Sequence, residues 1–310
     1  MPAQFQRIGV VGAGAVGLYF GTKLALAGPE VRFLMRRDLA AVRERGSVRV
    51  VGDAGVSEFR PAAAFADPAG VGPVDLAVVA LKTTSAAETK GLVGPLLGPG
   101  TAVLTLQNGL GADEFLAGLF GGGRIIGGLV FMAITRTGPG EVTCYHPGLV
   151  TIGEYEGGPG PRTAALAALL GAAGIKTRVV ENLLEARWTK LVWNIPFNGL
   201  SIAEGGITTD RICADPRLAA EARALMLEVQ RAALALGYRI PDDYLRRQFE
   251  VTPSMGAYRP SSLIDFLAGR EVEVESIWGE PLRRAKARGI EMPRLESLYL
   301  RLLERCRGRA

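Results

Sequence analysis

The chain has one histidine, His146, and three cysteines, Cys144, Cys213 and Cys306. One histidine is too few for a histidine-based metal site, so no metal is expected. The cysteines are scattered and odd in number, with neither CxxC spacing nor a disulfide framework. Reduced thiols and a cytoplasmic location are the expectation. No apolar run reaches the roughly 18 residues of a membrane span. The stretch from Ile125 to Ile134 comes nearest and is too short. The N-terminus runs directly into an apolar strand pattern, so no leader is expected. There is no Ser/Gly-rich linker, internal repeat or low-complexity segment. Acidic residues are slightly outnumbered, 31 against 36 Lys and Arg, for a net charge of +5. Much of the excess sits in Arg283, Arg284, Lys286, Arg288 and the stretch from Arg301 to Arg309. No nucleic-acid-reading module accompanies these residues, and aromatics do not interleave them. They read as a solvated helix face, which argues against nucleic acid as a partner. A mild positive charge would still draw an anionic cofactor and an acidic substrate.

The chain does contain a strong glycine pattern near its start, Gly12-Ala13-Gly14-Ala15-Val16-Gly17. An apolar run, Ile8 to Val11, precedes it, and a helix-prone run from Leu18 to Ala27 follows. Strand, G-x-G-x-x-G, helix is the dinucleotide-binding fingerprint. Gly12 permits the tight turn, Gly14 lets backbone approach a pyrophosphate, and Gly17 lets helix and strand pack closely. The helix N-terminus offers free N–H groups to phosphate. An ordinary tight turn that binds nothing is the plain alternative. Val31 to Leu34 reads as the next strand. An NAD site would place a carboxylate at its end, but here Met35-Arg36-Arg37 comes first and Asp38 only afterwards. A guanidinium pairs with a 2′-phosphate, which favours NADPH.

Val74 to Leu81 and Ala102 to Leu106 read as buried parallel strands. They end at Lys82-Thr83-Thr84-Ser85 and Gln107-Asn108-Gly109. Ligands of open α/β sheets sit beyond such strand ends, so Lys82 and Asn108 are candidates for cofactor or substrate contact. Asn-Gly is also a common turn requiring positive φ. Ile126 to Ile134, Glu141 to Tyr145 and Leu149 to Gly153 read as an antiparallel extension, with turns at Gly138-Pro139-Gly140 and Pro147-Gly148. His146 falls at the second turn and reads as structural. A helix from Arg162 to Ala173 and a strand from Lys176 to Val180 follow. Beyond Leu183 only helical patterns remain: Leu184 to Ala203, Pro216 to Leu236, Asp242 to Phe249, Gly279 to Ala287 and Pro293 to Arg305. With 310 residues, 48% of them apolar, two domains are expected, 1–181 and 182–310, packed around a cleft.

In the helical half, Lys190, Asn194 and Asn198 stand at i, i+4 and i+8. On a helix they share one face within ~80° and span about 12 Å. Asparagine is a poor interior helix former, so two on one face suggest a demand for hydrogen bonds. A solvated face is the alternative. Pro196 suggests a kink or break. Pro260-Ser261-Ser262 and Gly269-Arg270-Glu271-Val272-Glu273-Val274-Glu275 form a third cluster. Ser262 could cap a helix and bond an anion. The Glu/Val alternation alone would suggest a strand, but the helical context argues against one.

Taken together, these motifs resemble the ketopantoate reductase family (2-dehydropantoate 2-reductases) over nearly the whole chain. The resemblance implies a Rossmann-type doubly wound α/β domain and an all-α C-terminal domain like that of 6-phosphogluconate dehydrogenases. It implies NADP on Gly12, Gly14 and Gly17, its 2′-phosphate on Arg36, the strand-end lysine at Lys82 and the N-G asparagine at Asn108. Lys190, Asn194 and Asn198 fit the K-x-x-x-N-x-x-x-N helix. Ser262 fits the family's serine, and Glu273 fits its G-R-x-x-E glutamate. Three features depart. Ser85 stands where family members carry glutamine, Thr208 stands where they carry a further asparagine, and the spacing from serine to glutamate is one residue shorter. The implied reaction is NADPH-dependent reduction of a 2-oxo acid, with Lys190 as acid. Asn108 would orient the carbonyl or nicotinamide, and Ser262 would take the substrate carboxylate. Asn194, Asn198, Glu273 and the Thr208 position would lie around the substrate. The alternatives are another 2- or 3-oxo acid on the same scaffold, or a non-catalytic NADP-binding sensor. The expected partner is a small molecule, with no membrane; a homodimer is left open.

Overall fold

The computed structural model describes residues 4–52, 55–60 and 63–307; Arg309, at the end of the basic stretch, lies outside them. The chain divides into two compact units. The first holds the chain up to Leu183 except for Asn108–Gly111. The second holds that four-residue segment and everything from Leu184 onward.

The first unit is α/β. Its elements in order are β1 (Arg7–Val11), α1 (Ala15–Leu26), β2 (Glu30–Leu34), α2 (Leu39–Arg45), β3 (Val48–Gly52), β4 (Gly55–Phe59), β5 (Ala63–Phe65), α3 (Pro68–Val71), β6 (Val74–Val79), α4 (Ala86–Val93), β7 (Leu97–Thr105), α5 (Ala112–Phe120), β8 (Ile125–Gly138), β9 (Glu141–Glu154), α6 (Pro161–Ala172) and β10 (Thr177–Val179). Six strands lie parallel in the order β5-β2-β1-β6-β7-β8. This is the doubly wound order 3-2-1-4-5-6, and its switch point lies between β1 and β6. The central strands are covered on both faces. Val10, Val11, Leu76, Val78, Val79 and Leu104 are all fully buried, which is why these strands read as unbroken apolar runs.

Beyond β8 the sheet changes direction. β8 and β9 form a long antiparallel hairpin closed at Pro139 and Gly140. β3 and β10 add to β9 in parallel, and β4 pairs antiparallel with β3. The turn expected at Pro147-Gly148 is absent, because β9 runs through it. Phe131 pairs with Leu149 and Ala133 with His146, so Pro147 and Gly148 together oppose Met132. Such a bulge tolerates a proline that cannot donate to the ladder. A Cβ on Gly148 would meet the Phe131 carbonyl at 1.9 Å, so only glycine lets the strands close there. His146 accordingly sits exposed within a strand rather than at a turn. The short strands β3, β4 and β5 have no counterpart in the sequence pattern. They are short and partly exposed, and the apolar residues of β3 and β4 are interrupted by polar ones.

The second unit is helical: α7 (Leu183–Ala203), α8 (Thr209–Ala214), α9 (Pro216–Ala235), α10 (Asp242–Val251), α11 (Ser261–Leu267), α12 (Glu280–Lys286) and α13 (Pro293–Cys306). Asp215 starts α9 by accepting from the N–H groups of Arg217 and Leu218 at 2.8 and 3.1 Å, with Pro216 in the first turn. The core gathers around α7, whose Trp188, Leu191, Val192, Ile195, Phe197 and Leu200 are buried. α7 runs unbroken through Pro196. The Trp278 indole donates to the Ile195 carbonyl at 3.0 Å beside it, one of the contacts that hold the helix there. The 271–275 segment forms no strand. Val272 and Val274 enter the core, and a π-helical turn runs from Glu275 to Gly279. Such turns interrupt regular helices and recur at functional sites.

Candidate active site

In the first unit the glycine turn lies at the switch point, and each of its glycines has a distinct environment. Gly12 has φ +102°, and a Cβ there would lie 2.7 Å from the backbone of Ala80 and Leu81 at the end of β6. A Cβ on Gly17 would lie 1.9 Å from the Gly12 carbonyl, so α1 is seated directly against the turn. Around Gly14 the position of a Cβ is open, with no atom within 4 Å. Gly14 is also the N-cap of α1 and offers no side-chain acceptor to the first-turn amides. Ala13, Ala15 and Val16 are partly buried and pack against the sheet core. Lys82 stands partly buried just past the end of β6. The open surroundings of Gly14 and the first-turn amides of α1, which take no side-chain cap, offer donors for an anion.

The acid question at β2 is settled by burial. Asp38, the first carboxylate after the strand, is 3% exposed. It accepts from Arg136 through Nε at 3.1 Å and through Nη2, and from the Gly140 N–H at 2.8 Å. Its oxygens are spent on the hairpin. Arg36, by contrast, is exposed and pairs with Glu88 at 2.9 Å. A solvated pair of this kind is weakly held and exchanges readily for a stronger anion.

In the second unit the residues converge on Lys190. Its Nζ donates to Asn108 Oδ1 at 2.8 Å. Asn108 is delivered by a turn that only glycine could complete. Gly109 has φ +80°, and a Cβ there would lie 2.2 Å from the Ser276 carbonyl on the π-helical turn. Leu110 N–H donates to that same carbonyl at 2.8 Å. Although the lysine residue keeps some exposure, loss of water around the ammonium is the main cause that pushes its pKa down from 10.5 to about 7. The cation of Arg187 acts in the same direction, and the Glu273 carboxylate opposes both. Further along the stripe, Asn198 Oδ1 accepts from the Ser262 N–H at 3.1 Å. Asn194 and Asn198 are 9% and 2% exposed and Ser262 is 4% exposed. Among the described residues no group hydrogen-bonds the Asn194 amide or the Ser262 hydroxyl. Asn194 lies on α7, the helix that carries the lysine, and Ser262 is tied to the same helix through Asn198. An amine that titrates near neutrality beside unspent donors and acceptors can protonate a developing alkoxide.

The profile described as Ketopantoate reductase PanE/ApbA matches residues 8–157, and that described as Ketopantoate reductase PanE/ApbA C terminal matches residues 182–304. The chain belongs to the ketopantoate reductase family. It is 36% identical over 302 residues to a 2-dehydropantoate 2-reductase of Nostoc sp., covering 96% of this chain and 94% of that one. Among solved structures, a 2-dehydropantoate 2-reductase from Geobacter metallireducens superposes with TM-score 0.93 at 41% identity, covering 96% of this chain and 99% of the other. A D-mandelate dehydrogenase, solved with NADH and anilino(oxo)acetate, has TM-score 0.86 at 20% identity over 96% of this chain and 97% of its own. That likeness shows the fold alone.

Residues named from the family pattern meet in two pairs along α7. Lys190 and Asn108 are in contact, Glu273 is close enough to act on the lysine, and Asn198 and Ser262 are joined. Thr208 is not brought into these contacts: it precedes α8, and its hydroxyl donates to Asp210. Glu275, two residues beyond Glu273, is exposed and committed to Arg283 at 2.7 Å and the Tyr299 hydroxyl at 2.6 Å. Glu273 is the one that faces the lysine. Sequence reasoning passed over Arg187 and Ser276. Arg187 stands three residues before Lys190, close to the same helix face, and that spacing was the available signal. Ser276 meets the turn through its backbone carbonyl, a contact that carries no signature in the sequence.

Proposed function

We propose that the chain reduces the ketone of a 2-oxo acid with NADPH, converting 2-dehydropantoate to (R)-pantoate. The observation that carries the reading is the lysine held by Asn108, with its pKa moved to about 7. The cofactor fits the first unit: the surroundings of Gly14 are open where backbone must meet a pyrophosphate, Arg36 is accessible, and no free carboxylate stands at the end of β2. When bound, NADPH supplies the hydride that reaches the ketone carbon. Gly12 to Gly17 hold the pyrophosphate, Arg36 the 2′-phosphate, and Lys82 lies at the neighbouring strand end. Lys190 gives its proton to the ketone oxygen as negative charge develops there, and Asn108 fixes the ammonium in place. The Ser262 hydroxyl takes the substrate carboxylate. Asn194 and Asn198 bind the substrate's hydroxyl end, and Glu273 orients Lys190. The domains of this reading are 1–181 for the cofactor and 182–310 for the substrate. The partner is a small molecule. Among the described residues no helix is long and apolar enough to cross a membrane, and all three cysteines are free thiols, which accords with a cytoplasmic enzyme.

The test is NADPH oxidation with 2-dehydropantoate beside a panel of other oxo acids, for the wild type and Lys190→Ala. The expected result is a preference for 2-dehydropantoate and a fall in kcat of at least ~10²-fold in the variant. Near-wild-type turnover by Lys190→Ala would remove the assignment. A second reading, reduction of a different 2- or 3-oxo acid, is favoured by Thr208, whose hydroxyl is tied to Asp210 at the position where the family resemblance implies an asparagine. A preference for another acid in the panel would select it. Tight NADPH binding with no turnover of any acid would instead mark a sensor.

A further inference from the structure

Arg187 is a charged group buried in the second unit, 3% exposed. Burying a guanidinium carries a large desolvation cost unless hydrogen bonds and position make use of it. It stands on α7 one turn before Lys190. Its Nη1 donates to the Gly109 carbonyl at 3.4 Å, while Lys190 Nζ donates to the Asn108 side chain at 2.8 Å. Two successive cations of one helix thus grip two successive residues of one turn. The turn's third hold comes from Leu110 N–H on the Ser276 carbonyl. The Asn108–Gly111 segment is only four residues long, and it packs with the second unit although the chain on either side belongs to the first. So short a segment keeps its place through contacts such as these.

We propose that Arg187 is a positioning residue for Lys190: it anchors the Asn108–Gly109 turn that holds the lysine, and it sets a permanent positive charge beside the lysine's nitrogen. The inference rests on the reading of Lys190 as the acid. Arginine does not give up its proton in proteins, whereas lysine does when buried. Of two cations crowded on one buried helix face, the lysine is therefore the one that releases. The charged groups that face Lys190 are Arg187, on its own helix, and Glu273, on the segment before the π-helical turn. They act in opposite directions. Removing Arg187 leaves burial alone to oppose Glu273, and the lysine then holds its proton more tightly.

The experiment is the pH profile of kcat/KM, which reports groups of the free enzyme, for wild type, Arg187→Met and Arg187→Lys, with thermal melting to confirm folding. The wild-type profile is expected to fall as pH rises through about 7, where Lys190 loses its proton. In Arg187→Met the descending limb is expected to move up by about one pH unit, and kcat to fall ~10-fold as the turn loosens. Arg187→Lys keeps the charge without the planar fork, so its limb stays with the wild type while kcat falls. A Met variant with wild-type kcat and an unmoved limb overturns the proposal. So do equal losses in both variants with neither limb moved, since that pattern is structural only. If the Met variant does not fold, Arg187→Gln takes its place: a descending limb moved up relative to wild type and Arg187→Lys supports the proposal, and a limb that stays in place overturns it. Turnover surviving in Lys190→Ala defeats the underlying reading instead. An inactive Lys190→Ala with wild-type behaviour at Arg187 defeats this inference alone.

Discussion

Asp38 and Arg36 lie two residues apart and are treated oppositely by the fold. The carboxylate turns inward to Arg136 and the Gly140 amide, and the guanidinium stays at the surface against Glu88. An acid so engaged cannot serve a ribose hydroxyl without breaking the hairpin's anchorage. Glu88 holds Arg36 only through a solvated contact, which a phosphate dianion can displace. Arg36→Ala is therefore expected to weaken NADPH by ~10- to 100-fold, the range of a lost charge-assisted contact, and to leave NADH almost unchanged. Titration of both cofactors checks this, and equal losses would count against a 2′-phosphate contact.

At the scale of elements, the β1–α1 junction and the Asn108–Gly109 turn follow one rule: a backbone approach closer than any side chain allows. Gly17 meets the Gly12 carbonyl and Gly109 meets Ser276. Backbone cannot step aside as a flexible side-chain end can. In Gly17→Ala the helix must lift away from the turn, taking its first-turn amides out of register with the phosphates. We expect dinucleotide affinity to drop at least ~10-fold, together with a loss of stability of order 1–3 kcal/mol. Fluorescence titration and thermal melting measure the two effects, and unchanged binding would show that the junction tolerates a methyl group. α7 teaches the converse. Its proline suggests a disrupted helix, yet α7 continues, because neighbours bury it on every side.

For the molecule as a whole, Lys190 opposes folding below neutral pH. Its pKa in the folded chain, about 7, lies below its ordinary 10.5. Between those values the unfolded chain binds more protons than the folded one. Stability from this group therefore rises with pH across that window, and the penalty is full below about 7. Lys190→Met is expected to melt above the wild type at pH 6, with the advantage shrinking as pH climbs past 7. This is the usual exchange of stability for a reactive group. A variant that melts below the wild type at pH 6 would show that the Asn108 hydrogen bond outweighs desolvation.

What the sequence determined by itself is local and periodic. Glycine spacing, apolar strand runs and the i, i+4, i+8 stripe are written in neighbouring residues, so the dinucleotide turn, the α/β-to-α switch and the Lys190 helix could be read directly. Tertiary structure decided what depends on distant pairings. It ran β9 through Pro147-Gly148, because a bulge opposite Met132 admits both residues. It hid Asp38 behind a hairpin about a hundred residues away in sequence. It committed Glu275 to Arg283 and Tyr299, leaving Glu273 to act on the lysine. It also brought the Asn108–Gly109 turn against Arg187 and Lys190 of α7. Burial and charge crowding move a lysine to neutrality, and both are properties of packed neighbours that the order of residues along the chain does not display.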